Sequence, residues 1–356
     1  RTTVTAWAEA NRILSAKDSA EPGPYRATRT PYVIEPQDAL SAHSPVEEVI
    51  LIWGAQTSKT TVGMNWLGYL ADTNPGPVMV VQPTIDLAKR FSRQRLSPMV
   101  EESPALRRKV RENRSRDDAN TTLLKEYPGG FLAIAGANSA AGLRSMPVRD
   151  LFLDEIDGYP IDVDGEGDPC QLAEARQTTF ARRKRLKTST PTVEDLSRIE
   201  AAYNQGDRCR YHVPCPHCGE RQPLEWGGAE SPHGIKWTVL PGEQNAGAVV
   251  NVRYVCRECG SEIYEHQKPA MLAGGVWIAR HPERAMRGYH ISALYAPIGL
   301  GPSWADLVRG WLAAQDNTST LRAWINTNLG EPWTERGEEI NQIGRASCRE
   351  RVSSPV

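Results

Sequence analysis

The stretch Val46–Trp66, VEEVILIWGAQTSKTTVGMNW, constrains this chain more than any other. Glu48–Trp53 is a short apolar run rich in β-branched residues, the pattern of a strand buried on both faces. Gly54, Ala55, Gln56, Thr57, Ser58, Lys59, Thr60 and Thr61 follow, and then an apolar-periodic segment from Val62 to Leu70. A Lys-Thr pair at the mouth of a helix, after a buried strand, is what triphosphate binding needs. Backbone N–H groups and the helix start cradle phosphates, the lysine reaches the β/γ oxygens, and the Thr60 hydroxyl holds Mg²⁺. The usual pattern is G-x-x-x-x-G-K-[ST]; here Trp53 stands at the first glycine and Ser58 at the glycine before Lys59. An ordinary strand–turn–helix with a solvated lysine is the competing reading of this stretch alone.

A chain of 356 residues can hold one large domain and a smaller one. With a formal net charge of −1 it has no global basic field, so any nucleic-acid surface must be local. No apolar run approaches the roughly 20 residues that span a bilayer, and no signal peptide opens the sequence. No membrane partner and a cytoplasmic location are therefore expected. The first residue is Arg1, which suggests an incomplete start.

A second motif lies 95 residues beyond Lys59. Val148–Asp157 reads as an apolar strand ending in Asp154-Glu155, the Walker B pattern. Such a strand sets its Asp at the carboxyl edge of a parallel sheet, where ligands bind. Asp154 would hold Mg²⁺ and Glu155 would orient and deprotonate the attacking water. With the Lys-Thr loop this predicts an ATPase. Leu186–Thr192, ending in Ser189-Thr190-Pro191, fits a sensor strand at the same sheet edge.

Other stretches are more open. Thr5–Ser15 predicts a helix with Ala6, Ala10, Ile13 and Leu14 on one side, an arm leading into the domain. Tyr32 and Gln37, just upstream of the first strand, are candidate adenine contacts, with core packing an equal alternative for the tyrosine. Ile85–Val100 predicts a helix carrying Lys89, Arg90, Arg93 and Arg95, and Arg182–Arg185 is a basic run. Either is a solvated face or a phosphate-contacting one. Trp304–Gln315 and Thr320–Leu329 predict helices packed on the ATPase core.

Cys215-Pro-His-Cys218-Gly219 and Cys256-Arg-Glu-Cys259-Gly260 form two Cys-x-x-Cys-Gly knuckles, with 37 residues between Cys218 and Cys256. Four thiolates are the closed tetrahedral set of a structural Zn²⁺, which staples a module with little core of its own. His217, inside the first knuckle, is surplus to that set.

The fold expected is thus α/β, a P-loop NTPase with a mainly parallel sheet flanked by helices, plus an inserted β-rich zinc ribbon. The boundaries read as an arm over 1–30, the ATPase core over 31–205, the ribbon over 206–275, a helical return to the core over 276–340, and a tail over 341–356.

The blocks GAQTSKTT, QPTIDLAKRFSRQRLSPM, GANSAAGLRSMPVRDLFLDEIDGYP, KTSTPT, CPHCGE with YVCRECG, and NTNLGEPW resemble the large terminase subunits of lambda-type phages, from about Tyr32 to Trp333. The resemblance implies an ATP-driven motor that moves double-stranded DNA into a procapsid. Its partners would be a small terminase subunit, the portal and further copies of itself. It assigns the P-loop lysine to Lys59, the Mg²⁺ hydroxyl to Thr60, the Walker B pair to Asp154 and Glu155, and the coupling motif to Ser189, Thr190 and Pro191. Arg144, beside a small-residue loop, is a candidate charge-stabilising arginine. DNA contacts are expected from Lys89, Arg90, Arg93 and Arg182–Arg185. The family adds a C-terminal endonuclease. After Trp333 only 23 residues remain, with Glu335, Glu338, Glu339 and Glu350 their acidic members, and Ile343–Val352 reads as foreign sequence. The expectation is a chain truncated before its nuclease. Two alternatives stay open: a zinc-ribbon DNA-binding protein with a vestigial nucleotide site, and a superfamily-2-like helicase, for whose second domain there is no room.

Overall fold

The computed structural model of the chain describes residues 2–17, 19–110, 122–228, 231–240 and 249–334. The expected tail over 341–356, and Arg111–Arg116, which carry three arginines in the sequence, lie outside them.

Six strands form the parallel centre of the main sheet, in the order Arg287–Ile291, Glu48–Trp53, Lys184–Ser189, Asp150–Asp154, Pro77–Gln82 and Gly130–Gly136. Leu124–Tyr127 closes one end antiparallel to its neighbour. At the other end Cys209–Pro214 runs parallel to Arg287–Ile291 and takes two antiparallel partners, Arg221–Pro223 and Val276–Ile278. The α/β expectation holds, and the sensor strand sits between the phosphate-loop strand and the Asp154 strand.

Two-sided burial explains why the phosphate-loop strand is nearly all apolar. All six residues of Glu48–Trp53 are buried. Val49, Leu51 and Trp53 join one core, and Ile50 and Ile52 the other. The helix Lys59–Thr73 covers the first core at close range. A Cβ on Gly63 would lie 2.3 Å from the Phe152 ring, and one on Gly68 would lie 2.2 Å from Trp7.

The N-terminal segment is part of that layer and not an arm leading to it. Its helix is Val4–Asn11, and it buries Val4, Thr5, Trp7 and Ala8 while Ala6 and Ala10 face solvent. Trp7 sets the face, because its indole fills the notch at Gly68 and donates Nε1–H to Asp72 at 2.8 Å. The predicted Ile85–Val100 helix forms as Ile85–Phe91 and Ser97–Glu102, joined by a π-helical turn at Ser92–Leu96.

The cysteine-bearing module is less separate than its sequence suggests. The first knuckle caps the Cys209–Pro214/Arg221–Pro223 hairpin, which belongs to the main sheet. The second follows Val249–Val255 in a small antiparallel sheet with Gly234–Val239 and Glu262–Ile263. The helices Trp304–Ala314 and Thr318–Trp324 pack on this module, which corrects that part of the expectation, whereas the end of the expected Thr320–Leu329 helix, Ile325–Leu329, does reach the ATPase core at the phosphate loop. Trp226 of the module meets Trp324 and Trp311 with ring centroids 4.7 and 5.5 Å apart. Aromatic pairs of this kind add to area burial, so the tryptophans fix the partner.

His290, in the strand beside the phosphate loop, is buried, and its Nε2 pairs with the Gly330 carbonyl at 3.1 Å. Burial, with help from nearby Arg210, lowers its pKa from 6.5 to about 3. The unfolded chain therefore takes up a proton below pH 6.5 that the folded chain refuses. This contribution to stability is complete above pH 6.5 and is lost as pH falls toward 3. In urea denaturation across that range, His290→Gln should show a shallower loss than the parent, by at most roughly 5 kcal/mol.

Candidate active site and cysteine cluster

The phosphate loop leaves the Glu48–Trp53 strand and enters the Lys59–Thr73 helix through two non-glycine residues in the left-handed region, Gln56 at φ 59° and Ser58 at φ 72°. Ser58 thus takes the backbone conformation of the glycine it replaces, at a cost of roughly 1–2 kcal/mol. Surrounding contacts hold the turn. The Thr57 hydroxyl donates to the Gly54 carbonyl at 2.5 Å. Gly54 N–H donates to the Ile291 carbonyl at 2.8 Å and Ala55 N–H to the Thr327 carbonyl at 2.6 Å. A Cβ on Gly54 would lie 2.7 Å from the Asn328 carbonyl oxygen, so only glycine admits this approach. The N–H groups of Ser58, Lys59, Thr60 and Thr61, orphan donors of a helix start, have no acceptor among the described residues. They form the part of the loop able to take an anion.

Lys59 is buried and does not face solvent. Its Nζ donates to the Trp53 carbonyl at 3.1 Å and lies 3.3 Å from Glu155 Oε1. The other Glu155 oxygen lies 3.4 Å from Ser189 Oγ and 3.5 Å from Thr190 N. One carboxylate therefore joins the phosphate-loop lysine to the end of the sensor strand. Glu155 has φ 53°, a strained position for this residue type, and its side chain is 43% exposed, so solvent reaches it.

Asp154 is buried one residue earlier. Thr188 Oγ1 donates to its Oδ1 at 2.6 Å and Gln82 Nε2 to its Oδ2 at 2.9 Å. Burial, then the charge of Glu155, raises its pKa. A carboxylate so placed gains from a cation, and Thr60, next to Lys59, has no side-chain partner among the described residues. These residues fit a Mg²⁺ carried with a triphosphate. Gln82 escaped the sequence reading, although a polar residue ending an otherwise apolar strand was the available signal, and Thr188, inside the sensor stretch, was not singled out.

Behind Ser189 the chain turns at Thr190 and the buried Pro191. Trp333 N–H donates to the Thr192 carbonyl at 2.8 Å and Glu194 N–H to the Trp333 carbonyl at 2.9 Å. The stretch 327–333 thus touches the phosphate loop at one end and the sensor turn at the other, a link that sequence alone did not disclose.

Other candidates stand elsewhere. Tyr32 is buried between the rings of Trp53 and Tyr211, and its hydroxyl faces Ser58 without closing a hydrogen bond. Gln37 is buried too, its amide spent on Tyr25 at 3.1 Å and Asn65 at 2.8 Å. Neither lies open to a base, because the aromatic and the amide are the pieces that complete the core behind the loop. Arg144 pairs with Glu166 at 2.6 Å on the surface. Half of the basic run, Lys184 and Arg185, turns inward. Lys184 donates to the Ser44 carbonyl at 2.9 Å, and Arg185 pairs with Glu48 and Glu174 at 2.7 and 3.0 Å. Of the expected DNA contacts, Arg90, Arg93 and Arg182 are exposed, and Lys89 is half-buried beside Asp86.

The four knuckle sulfurs lie within 4.8 Å of one another. Cys215–Cys259 and Cys218–Cys256 are each 3.9 Å apart, close to the ~3.8 Å edge of a tetrahedron of Zn–S bonds. Gln222 Nε2 donates to Cys256 Sγ at 2.9 Å, an outer contact of the kind that orients a ligand. The donor set fits zinc. His217 turns away to the Glu262 carbonyl at 3.0 Å.

A family model described as phage terminase large subunit gpA, ATPase domain, matches residues 19–277. A second, terminase large subunit gpA, endonuclease domain, matches residues 286–354. The large terminase subunit of Enterobacteria phage P21 is 28% identical over 363 residues, covering 95% of this chain and 54% of that protein. That of Escherichia phage lambda is 25% identical over 372 residues, covering 99% and 56%. The chain spans about half the length of these curated relatives. The crystal structure of the HK97 bacteriophage large terminase shares the fold at 14% identity and a TM-score of 0.55, over 93% of this chain and 55% of that one. The endonuclease match corrects the expectation of a chain cut before its nuclease: it runs from the strand beside the phosphate loop through the stretch that reads as foreign.

Proposed function

This chain belongs to the phage terminase large subunit gpA family, and from that premise we propose that it is an ATP-hydrolysing motor of viral DNA packaging. The observation that carries the reading is the convergence of Lys59, Ser189 and Thr190 on the Glu155 carboxylate at the carboxyl edge of the sheet. An isolated strand–turn–helix has no use for that arrangement. A hydrolytic site does, because one group must feel the phosphates, hold a water and report to a mobile element.

In this reading the free N–H groups of Ser58–Thr61 and the Lys59 ammonium take the β/γ-phosphates. Thr60 and Asp154 hold Mg²⁺, which when bound neutralises phosphate charge. Lys59 exchanges its Glu155 contact for phosphate oxygens, and Glu155 is then free to accept a proton from water. Ser189 and Thr190, hydrogen-bonded to that carboxylate, respond to its charge and position. Double-stranded DNA is the substrate moved, with a small terminase subunit, a portal-bearing procapsid and further copies of this chain as partners. The cysteine cluster holds one structural Zn²⁺.

Phosphate release with and without duplex DNA is the direct test, with stimulation by DNA the expected result. Duplex binding that ignores both ATP and Lys59→Ala, with no phosphate released, would leave a DNA-binding protein with a vestigial nucleotide site.

A further inference from the structure

Beyond the Arg287–Ile291 strand, on the side away from Asp154, the surface opens into a cleft of about 460 Å³. Arg208 and Arg210 line it from the start of the Cys209–Pro214 strand, and Arg280 from the turn after Val276–Ile278. Arg257, inside the second knuckle, completes the basic rim, and Tyr203 adds an aromatic face. Glu225 is the lining carboxylate, and it is spent on Arg257 at 2.6 Å and His233 at 3.0 Å.

Several buried or half-buried cations elsewhere in the chain are neutralised by carboxylates. Arg185 and Lys187 share Glu48 and Glu174, Arg149 has Asp150, and Arg287 has Glu35 and Asp207. Arg208, Arg210 and Arg280 have no carboxylate within 4.0 Å among the described residues. Arg208 is held over the Tyr203 ring, 5.8 Å from its centroid, with its backbone at φ 58°. A strained arginine stacked in place without a counter-charge is a preformed donor. Guanidiniums present forked N–H donors that match phosphate oxygens, and several spread over one cleft suit a run of phosphates better than a single small anion.

We infer that this cleft grips the phosphodiester backbone of duplex DNA, with the motor sheet as one wall and the second cysteine knuckle as the other. The inference rests on the DNA-motor reading and moves the grip away from Arg182–Arg185. It also gives the cysteine module a task besides stapling, since the module holds Arg257 at the rim.

The test is binding of the full chain to a short labelled duplex of random sequence, followed by fluorescence anisotropy across a salt series. Arg208→Gln with Arg280→Gln should lower affinity roughly tenfold per guanidinium at about 0.1 M salt. It should also flatten the log–log salt slope by about 0.9 for each phosphate no longer neutralised. Arg280→Gln alone, at an exposed position, should give half of that flattening and guards against a folding defect. An unchanged slope in both variants overturns the inference, as does a loss of affinity for a non-hydrolysable ATP analogue in place of DNA. A chain that releases no phosphate yet shows the flattening keeps the cleft and loses the motor. DNA-stimulated hydrolysis with a slope blind to both substitutions keeps the motor and loses the cleft.

Discussion

Glu155→Gln should lower ATP turnover by roughly 10²–10⁴-fold, the range removed with a general base, while nucleotide still binds. The amide keeps the shape of the carboxylate and can still accept from Ser189 and Thr190, but it cannot take a proton from water. Lys59 need not be stranded, because bound phosphates replace the missing partner 3.3 Å away. Lys59→Ala should differ in kind: nucleotide affinity itself falls, since the ammonium contacts phosphate before and during reaction. Steady-state phosphate release paired with equilibrium binding of a fluorescent nucleotide separates the two. Equal loss of binding in both variants would show that Glu155 serves only to position Lys59.

The second large effect concerns the cysteine cluster. Elemental analysis of purified protein should find one zinc per chain, and Cys256→Ser should abolish that stoichiometry. Isolated zinc modules owe roughly 10–16 kcal/mol of apparent folding free energy to the ion. Here the first knuckle stands on a hairpin paired into the main sheet, so part of the module persists without metal. The expected result of chelation or of Cys256→Ser is therefore a drop in thermal midpoint on the order of 10 °C, and not complete unfolding. Loss should centre on the small sheet and on the helices bearing Trp311 and Trp324, which lean on it. A metal-free protein with an unchanged midpoint would sink the assignment.

What could be read in the sequence was what chemistry and burial demand locally. Strand, loop and helix at Val46–Trp66 follow from an apolar run, a Lys-Thr pair and a period change, and Asp154-Glu155 from a strand that ends in two acids. The cysteines were legible because metal geometry dictates their spacing. What stayed hidden depends on partners far along the chain. Arg182–Arg185 looks like a basic patch until the strand's alternation sends Lys184 inward and Glu48 and Glu174 arrive to neutralise Arg185. Tyr32 and Gln37 are the right residue types for a base, but the hole they fill is made by Trp53, Tyr211, Tyr25 and Asn65. The helices after Trp304 show their apolar faces in sequence and say nothing of what those faces meet.

The tie between Ala55 and Thr327 has a consequence in time. The phosphate-loop strand emerges early in synthesis, yet its two neighbours are residues 184–189 and 287–291, and the carbonyl that holds the loop comes later still. At ribosomal speeds the interval is on the order of tens of seconds, during which a largely apolar strand waits first with both edges and then with one edge unpaired. Nascent chains should thus need chaperone cover through this interval, and a ribosome-bound intermediate should gain nucleotide affinity only after residue 330 has cleared the exit tunnel.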